Sequence, residues 1–194
     1  EAALGAVNAD LLAHQDGDMG ARLRQGKRRM ALLTGLADLG GVWDLRQVTQ
    51  AVSTFADTAV EAAMRTVLAL PRFANKLPTP IKDGSVAAGM TVLSMGKGGA
   101  YELNYSSDID LIVLFEDDYY SAQDVGDARA VLIKATRAIA ALLSDVTEHG
   151  YVFRTDLRLR PDPSVTPVCL SMEAAERYYE SVGRTWERAA YIKA

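Results

Sequence analysis

Residues 91–116 constrain this chain more than any other stretch. A mostly apolar run, Thr91–Met95, meets a glycine-rich turn (Gly96, Gly98, Gly99). A short polar segment and a second apolar run, Ile109–Phe115, follow. Asp108 and Asp110 stand at the start of that second run. Side chains alternate along a strand, so the two carboxylates point the same way, about 6–7 Å apart along the chain. Carboxylates at the mouth of a buried strand are costly unless paired or bound to a cation. The pattern therefore predicts a metal site beside a phosphate-binding turn. The turn is not a Walker loop, because glycine rather than Ser or Thr follows Lys97 and position 91 is not glycine.

The chain has 194 residues, enough for one substantial domain or a domain with an appendage. A formal net charge of -4 argues against coating DNA by charge alone, while leaving room for a local nucleotide site. No apolar run approaches the roughly 18–20 residues of a membrane span, and no signal-peptide pattern opens the chain. One cysteine, Cys169, allows neither an internal disulfide nor a thiolate zinc cluster, which fits a reducing, cytoplasmic setting. Helical sequence at both ends suggests a piece of something longer.

Residues 1–70 read as helical, with a break at Asp16-Gly17-Asp18 and a stop at Gly40-Gly41. A helix from Asp44 to Leu70 has Val48, Val52, Phe55, Val60, Ala63 and Val67 as its apolar face. The basic cluster Arg22, Arg24, Lys27, Arg28 and Arg29 reads as a solvated helix face, with phosphate or an acidic partner as the alternative. Pro71–Gly84, with three prolines and Asp83-Gly84, reads as a linker. The expected division is a helical segment over 1–86 and a catalytic unit over 87–194.

Glu116-Asp117-Asp118 reads as a solvated strand end. A helix is expected from Ala122 to Thr147, with His149 suited to its C-terminal dipole. Tyr151–Arg160 alternates throughout and predicts a strand. Tyr151, Phe153, Thr155, Leu157 and Leu159 take one face; Val152, Arg154, Asp156, Arg158 and Arg160 take the other. A short loop carrying Cys169, a buried hydrophobe rather than a nucleophile, then leads to helices over Met172–Val182 and Arg184–Ala194.

The glycine turn, the aspartate pair and an acid among arginines fit two-metal phosphoryl transfer when taken together. Carboxylates on adjacent strands would hold two Mg²⁺ about 3.5–4 Å apart. Backbone N–H groups at a helix start would receive phosphate, and arginines would meet the developing charge. Asp156 completes the carboxylate triad if its strand lies beside that of Asp110. Its alternative is an ion pair with Arg154 or Arg158.

Three blocks also resemble one family. Met95–Leu111, Phe153–Pro161 and Tyr179–Lys193 are similar, in this order, to the signatures of the glutamine synthetase adenylyltransferase/adenylyl-removing enzymes. Two departures fall in the turn: Gly98 where the family usually has leucine, and Ala100 where it usually has glycine. A metal-dependent glycosyltransferase would explain the aspartate pair but not the second and third blocks. The resemblance implies an α+β nucleotidyltransferase (polymerase-beta-like) fold with a small mixed sheet flanked by helices. It implies Mg²⁺, or Mn²⁺, on Asp108, Asp110 and Asp156, with Asp156 alternatively helping to orient the nucleophile. Gly96, Lys97, Ser107, Arg158 and Arg160 would lie near ADP, ATP or phosphate, Arg160 serving equally as an anchor for the turn before Pro161. Trp186, Glu187, Arg188 and Lys193 match family positions, Trp186 for packing and Lys193 for a nucleotide contact. The wording of Asn104–Asp110 and Tyr178–Arg188 looks more like the half that removes AMP from a tyrosine of glutamine synthetase with phosphate, giving ADP. The ATP-dependent adenylylating half and a catalytically silent fragment are the alternatives. The implied partners are glutamine synthetase and, through the longer enzyme, the PII signal protein.

Overall fold

A computed structural model describes residues 2–13, 17–81 and 87–194. The architecture is mixed: long helices packed on a small sheet. Three helices open the chain: α1 (Ala2–Ala13), α2 (Met19–Leu39) and α3 (Leu45–Ala69). The Asp18 side chain caps α2 through the Ala21 N–H at 3.1 Å, and Gly40 closes it. A reciprocal capping box starts α3: Asp44 accepts from the Gln47 N–H at 2.8 Å, and the Gln47 side chain accepts from the Asp44 N–H at 3.0 Å. Each residue expected on the apolar face of α3 is buried. Within the stretch expected as a linker, Pro71 begins the one-turn α4 (Pro71–Ala74), its fixed φ suiting the first helical position. His14, Asp16, Asp83-Gly84 and the division expected after residue 86 involve positions outside the described residues.

The sheet is built on β2 (Ile109–Phe115). β1 (Met90–Met95) runs antiparallel along one edge, pairing Met95 with Asp110. The other edge is shared by two short parallel strands. β3 (Thr155–Asp156) pairs with Ile109 and Asp110, and β4 (Cys169–Ser171) pairs with Val113–Phe115. Between β2 and β4 in the chain lies α5 (Val125–Ser144), and the chain ends with α6 (Met172–Ser181), α7 (Thr185–Ala190) and a 3₁₀ turn over Tyr191–Lys193. One sheet face joins α1, α2, α3 and α5 in the main core, which includes Phe55, Ile109, Leu111, Phe115, Leu132 and Phe153. The other face forms a smaller cluster of Met95, Ile112, Leu114 and Leu170 under α6 and Tyr191.

Several expectations need correction. α5 is shorter than 122–147: a turn closed by Ser121 and Asp124 precedes it, and Val146 lies past its end, 78 % exposed. His149 therefore lies beyond the last turn, 3.8 Å from Glu148. The ten-residue strand at 151–160 is reduced to two residues. Val152 and Phe153 are both buried, and both N–H groups donate to the Leu143 carbonyl, at 2.9 and 3.1 Å. That segment satisfies the exposed end of α5 instead of a sheet partner. Cys169 lies in β4 rather than a loop, fully buried, with burial pushing its thiol up to about 11. No helix follows the glycine turn; 96–102 is a run of tight turns, such as the Ala100 N–H to the Gly96 carbonyl at 3.1 Å.

Candidate active site

The sheet register brings the carboxylates together. Asp110 and Asp156 are direct partners on the adjacent parallel strands β2 and β3, and Asp108 immediately precedes β2. Burial pushes the Asp110 carboxyl above its ordinary range. The charges of Asp156 and then Asp108 add to that rise, and Arg158 opposes it. The glycine turn touches the same point. Gly96 has φ +59°, and a Cβ there would come 3.5 Å from Asp110 Oδ2.

Arginines occupy the other two acids. The Arg158 guanidinium grips Asp156, with Nε donating to both carboxylate oxygens at 3.0 and 2.9 Å and Nη2 to Oδ2 at 2.5 Å. These bonds hold the Asp156 carboxyl below its ordinary range. Arg154 Nε donates to Asp108 Oδ1 at 2.5 Å and Nη2 to the Ser106 carbonyl at 3.2 Å. Both arginines are exposed. Among the described residues, no three acidic, His or Cys side chains form a closed cation cage in this arrangement. The donor set nevertheless fits Mg²⁺ or Mn²⁺: three carboxylates, one electrostatically frustrated, and no soft ligand.

The remaining candidates divide. Lys97 is exposed in the turn. Ser107 closes the bend before Asp108, its hydroxyl donating to Asn104 Oδ1 at 2.9 Å and accepting from the Asn104 N–H at 3.1 Å. Arg160 is turned away from the carboxylates into its own loop. It donates to the carbonyls of Leu157 (2.6 Å), Pro163 (2.9 Å) and Thr166 (3.1 and 3.3 Å). These bonds tie Arg160 to the loop that contains Pro161. Lys193 pairs with Glu102 at 2.9 Å, and a Cβ on Gly99 would collide with the Lys193 carbonyl, so the third sequence block packs directly on the first. Glu187 is buried, accepting from the Tyr178 hydroxyl and the Arg184 N–H; Trp186 is 55 % exposed.

The basic cluster of α2 is only partly solvated. Arg24 is buried and donates to the carbonyls of Gly150 (2.7 Å) and Asp145 (2.5 Å). Lys27 donates to the Val152 carbonyl and lies 4.1 Å from the Phe153 ring centroid. Burial, then the charge of Arg154, lower its amine to about 8. Asp38, at the far end of α2, accepts from the Tyr105 hydroxyl at 3.1 Å. The spacing of Arg24 and Lys27 was the available signal, since residues three apart share a helix face.

The glutamate-ammonia ligase adenylyltransferase family model matches residues 2–194. The chain belongs to this family. It is similar to bifunctional glutamine synthetase adenylyltransferase/adenylyl-removing enzymes of several bacteria. It is 50 % identical over 184 residues to that of Bradyrhizobium sp. (strain BTAi1), covering 94 % of this chain and 19 % of the relative. It is 46 % identical over 174 residues to that of Caulobacter vibrioides, covering 89 % and 18 %. The chain thus spans about a fifth of the length of the curated relatives it matches. No helix among the described residues is long and apolar enough to cross a membrane.

Proposed function

We propose that residues 87–194 are a nucleotidyltransferase-like (polymerase-beta-like) unit, with 1–86 as its helical segment. In the longer polypeptide it removes AMP from adenylyl-tyrosine on glutamine synthetase by phosphorolysis. The observation that supports this best is the direct pairing of Asp110 with Asp156 on parallel strands, with Asp108 one step before β2. A phosphate oxygen attacks the AMP phosphorus, the bond from phosphorus to the tyrosine oxygen breaks, and the phenolate leaves to take up a proton. ADP and unmodified tyrosine are the products. Asp108, Asp110 and Asp156 would hold Mg²⁺ or Mn²⁺, which when bound offsets charge on the transferred phosphoryl group.

The chain's own groups do the rest. Gly96 lets the backbone approach Asp110 closely, and Lys97 and Ser107 lie on the turns that flank the acids. Arg158, beside Asp156, would supply counter-charge for phosphate were that carboxylate to hold a cation. Arg160 holds the following loop. Glutamine synthetase is the partner in this reading, and the PII signal protein acts through the rest of the polypeptide in the cytoplasm.

The test uses the full-length protein, adenylylated glutamine synthetase and Mg²⁺, supplied with either phosphate or ATP. ADP formation that needs phosphate and is lost in the Asp108→Asn/Asp110→Asn double variant is expected. Activity retained in that variant would refute the site. ATP-dependent addition of AMP, without phosphorolysis, would assign this unit to the adenylylating half instead.

A further inference from the structure

α2 is apolar on two opposite sides. Leu23, Met30 and Thr34 face the core, while Leu32, Leu36 and Leu39 project on the other side, 62 %, 62 % and 91 % exposed. Their spacing of four and three residues makes them one continuous ridge. Val42 and Leu45, which follow it in the chain, are also exposed, at 74 % and 78 %. Scattered exposed leucines need no explanation, but three large apolar side chains on one face of a single helix form a ridge. The other long helices lack such a face. α3 turns Arg46, Gln50 and Thr54 outward, and α5 turns Asp127, Lys134 and Arg137 outward. A second apolar stripe opposite the buried one leaves α2 a second face to cover.

We infer that this ridge is a docking surface for another helix of the same, longer polypeptide, one with an apolar stripe edged by acidic side chains. Two observations identify this occupant. Relatives 50 % and 46 % identical match the chain over only 19 % and 18 % of their length, so most of such a polypeptide lies outside these residues and can lie against α2. Exposed Arg28 and Arg29 flank the ridge at its N-terminal end and favour an acidic edge over the formally similar basic face of a second copy. A ridge at intervals of four and three residues fits the groove of a packed helix. The inference is independent of the direction of the proposed reaction.

Full-length Leu36→Cys and Leu39→Cys variants test this by maleimide labelling, read by mass spectrometry at each position and referenced to the urea-unfolded chain. Labelling slowed by at least about tenfold in the native protein, at every protein concentration, is expected, as for groups reached only through local opening. Hydroxyl-radical footprinting of the unsubstituted protein at Leu32, Leu36 and Leu39 gives the same reading without a mutation. Labelling as fast as in the unfolded chain would overturn the inference. So would protection that grows with protein concentration, the mark of a second copy, or protection that requires added glutamine synthetase.

Discussion

Replacing Arg24 by methionine tests whether the basic cluster of α2 is structural. Arg24 is 3 % exposed, and two of its bonds reach far along the chain, to the carbonyls of Gly150 and Asp145. Hydrogen bonds from a charged donor contribute about 1.5–3 kcal/mol each, so losing two costs about 3–6 kcal/mol. Methionine fills much of the space left by the stem and removes the cost of keeping a guanidinium out of water, which returns about 1–3 kcal/mol. The net loss is about 2–3 kcal/mol, or a Tm lower by about 4–12 °C for a chain of this size. Arg28, four positions on and exposed, should change stability by no more than about 0.5 kcal/mol when replaced in the same way. Thermal unfolding followed by circular dichroism compares Arg24→Met with Arg28→Met. Equal shifts would refute the reasoning.

Two other predictions follow from the site. The Asp110 carboxyl is raised in the folded state, so folding loses stability as pH climbs from the ordinary value of 3.8 through the raised one, and the whole penalty applies above it. Asp110→Asn should therefore raise Tm at neutral pH in metal-free buffer, with the gain fading towards pH 3.8; an unchanged or lowered Tm would contradict the frustrated charge. Arg160→Ala should loosen 161–166, read as faster amide exchange there, without weakening phosphate dependence. A selective rise in KM for phosphate with unchanged exchange would return Arg160 to the substrate.

The strand that carries Asp110 and follows Asp108 was legible because an apolar run bounded by glycines and acids has few alternatives as a structure, and β2 spans the expected residues. α3 was legible for a similar reason: its periodicity and its capping residues agree. The stretch 151–160 misled because its alternation is real in composition but not in pairing. The open end of α5 binds the Val152 and Phe153 N–H groups, a competition that no local pattern reveals. The arginine partners were half visible. Asp156 does pair with Arg158, but Arg154 belongs to Asp108, 46 positions away, and only the register of β2 with β3 joins them. The burial of Arg24 was hidden for the same reason: its acceptors lie more than a hundred residues downstream.

α2 holds the site at two points: Lys27 at the Val152 carbonyl, which leads into β3, and Asp38 at Tyr105, which leads into β2. Eleven residue steps of helix separate these anchors, a rod of about 16 Å at 1.5 Å per residue. A helix resists stretching far better than a loop does, so α2 works as a spacer bar, setting the separation between the two approaches to the carboxylates. Any force that tilts this bar would move Asp108 and Asp156 in concert, through their loops, rather than one at a time.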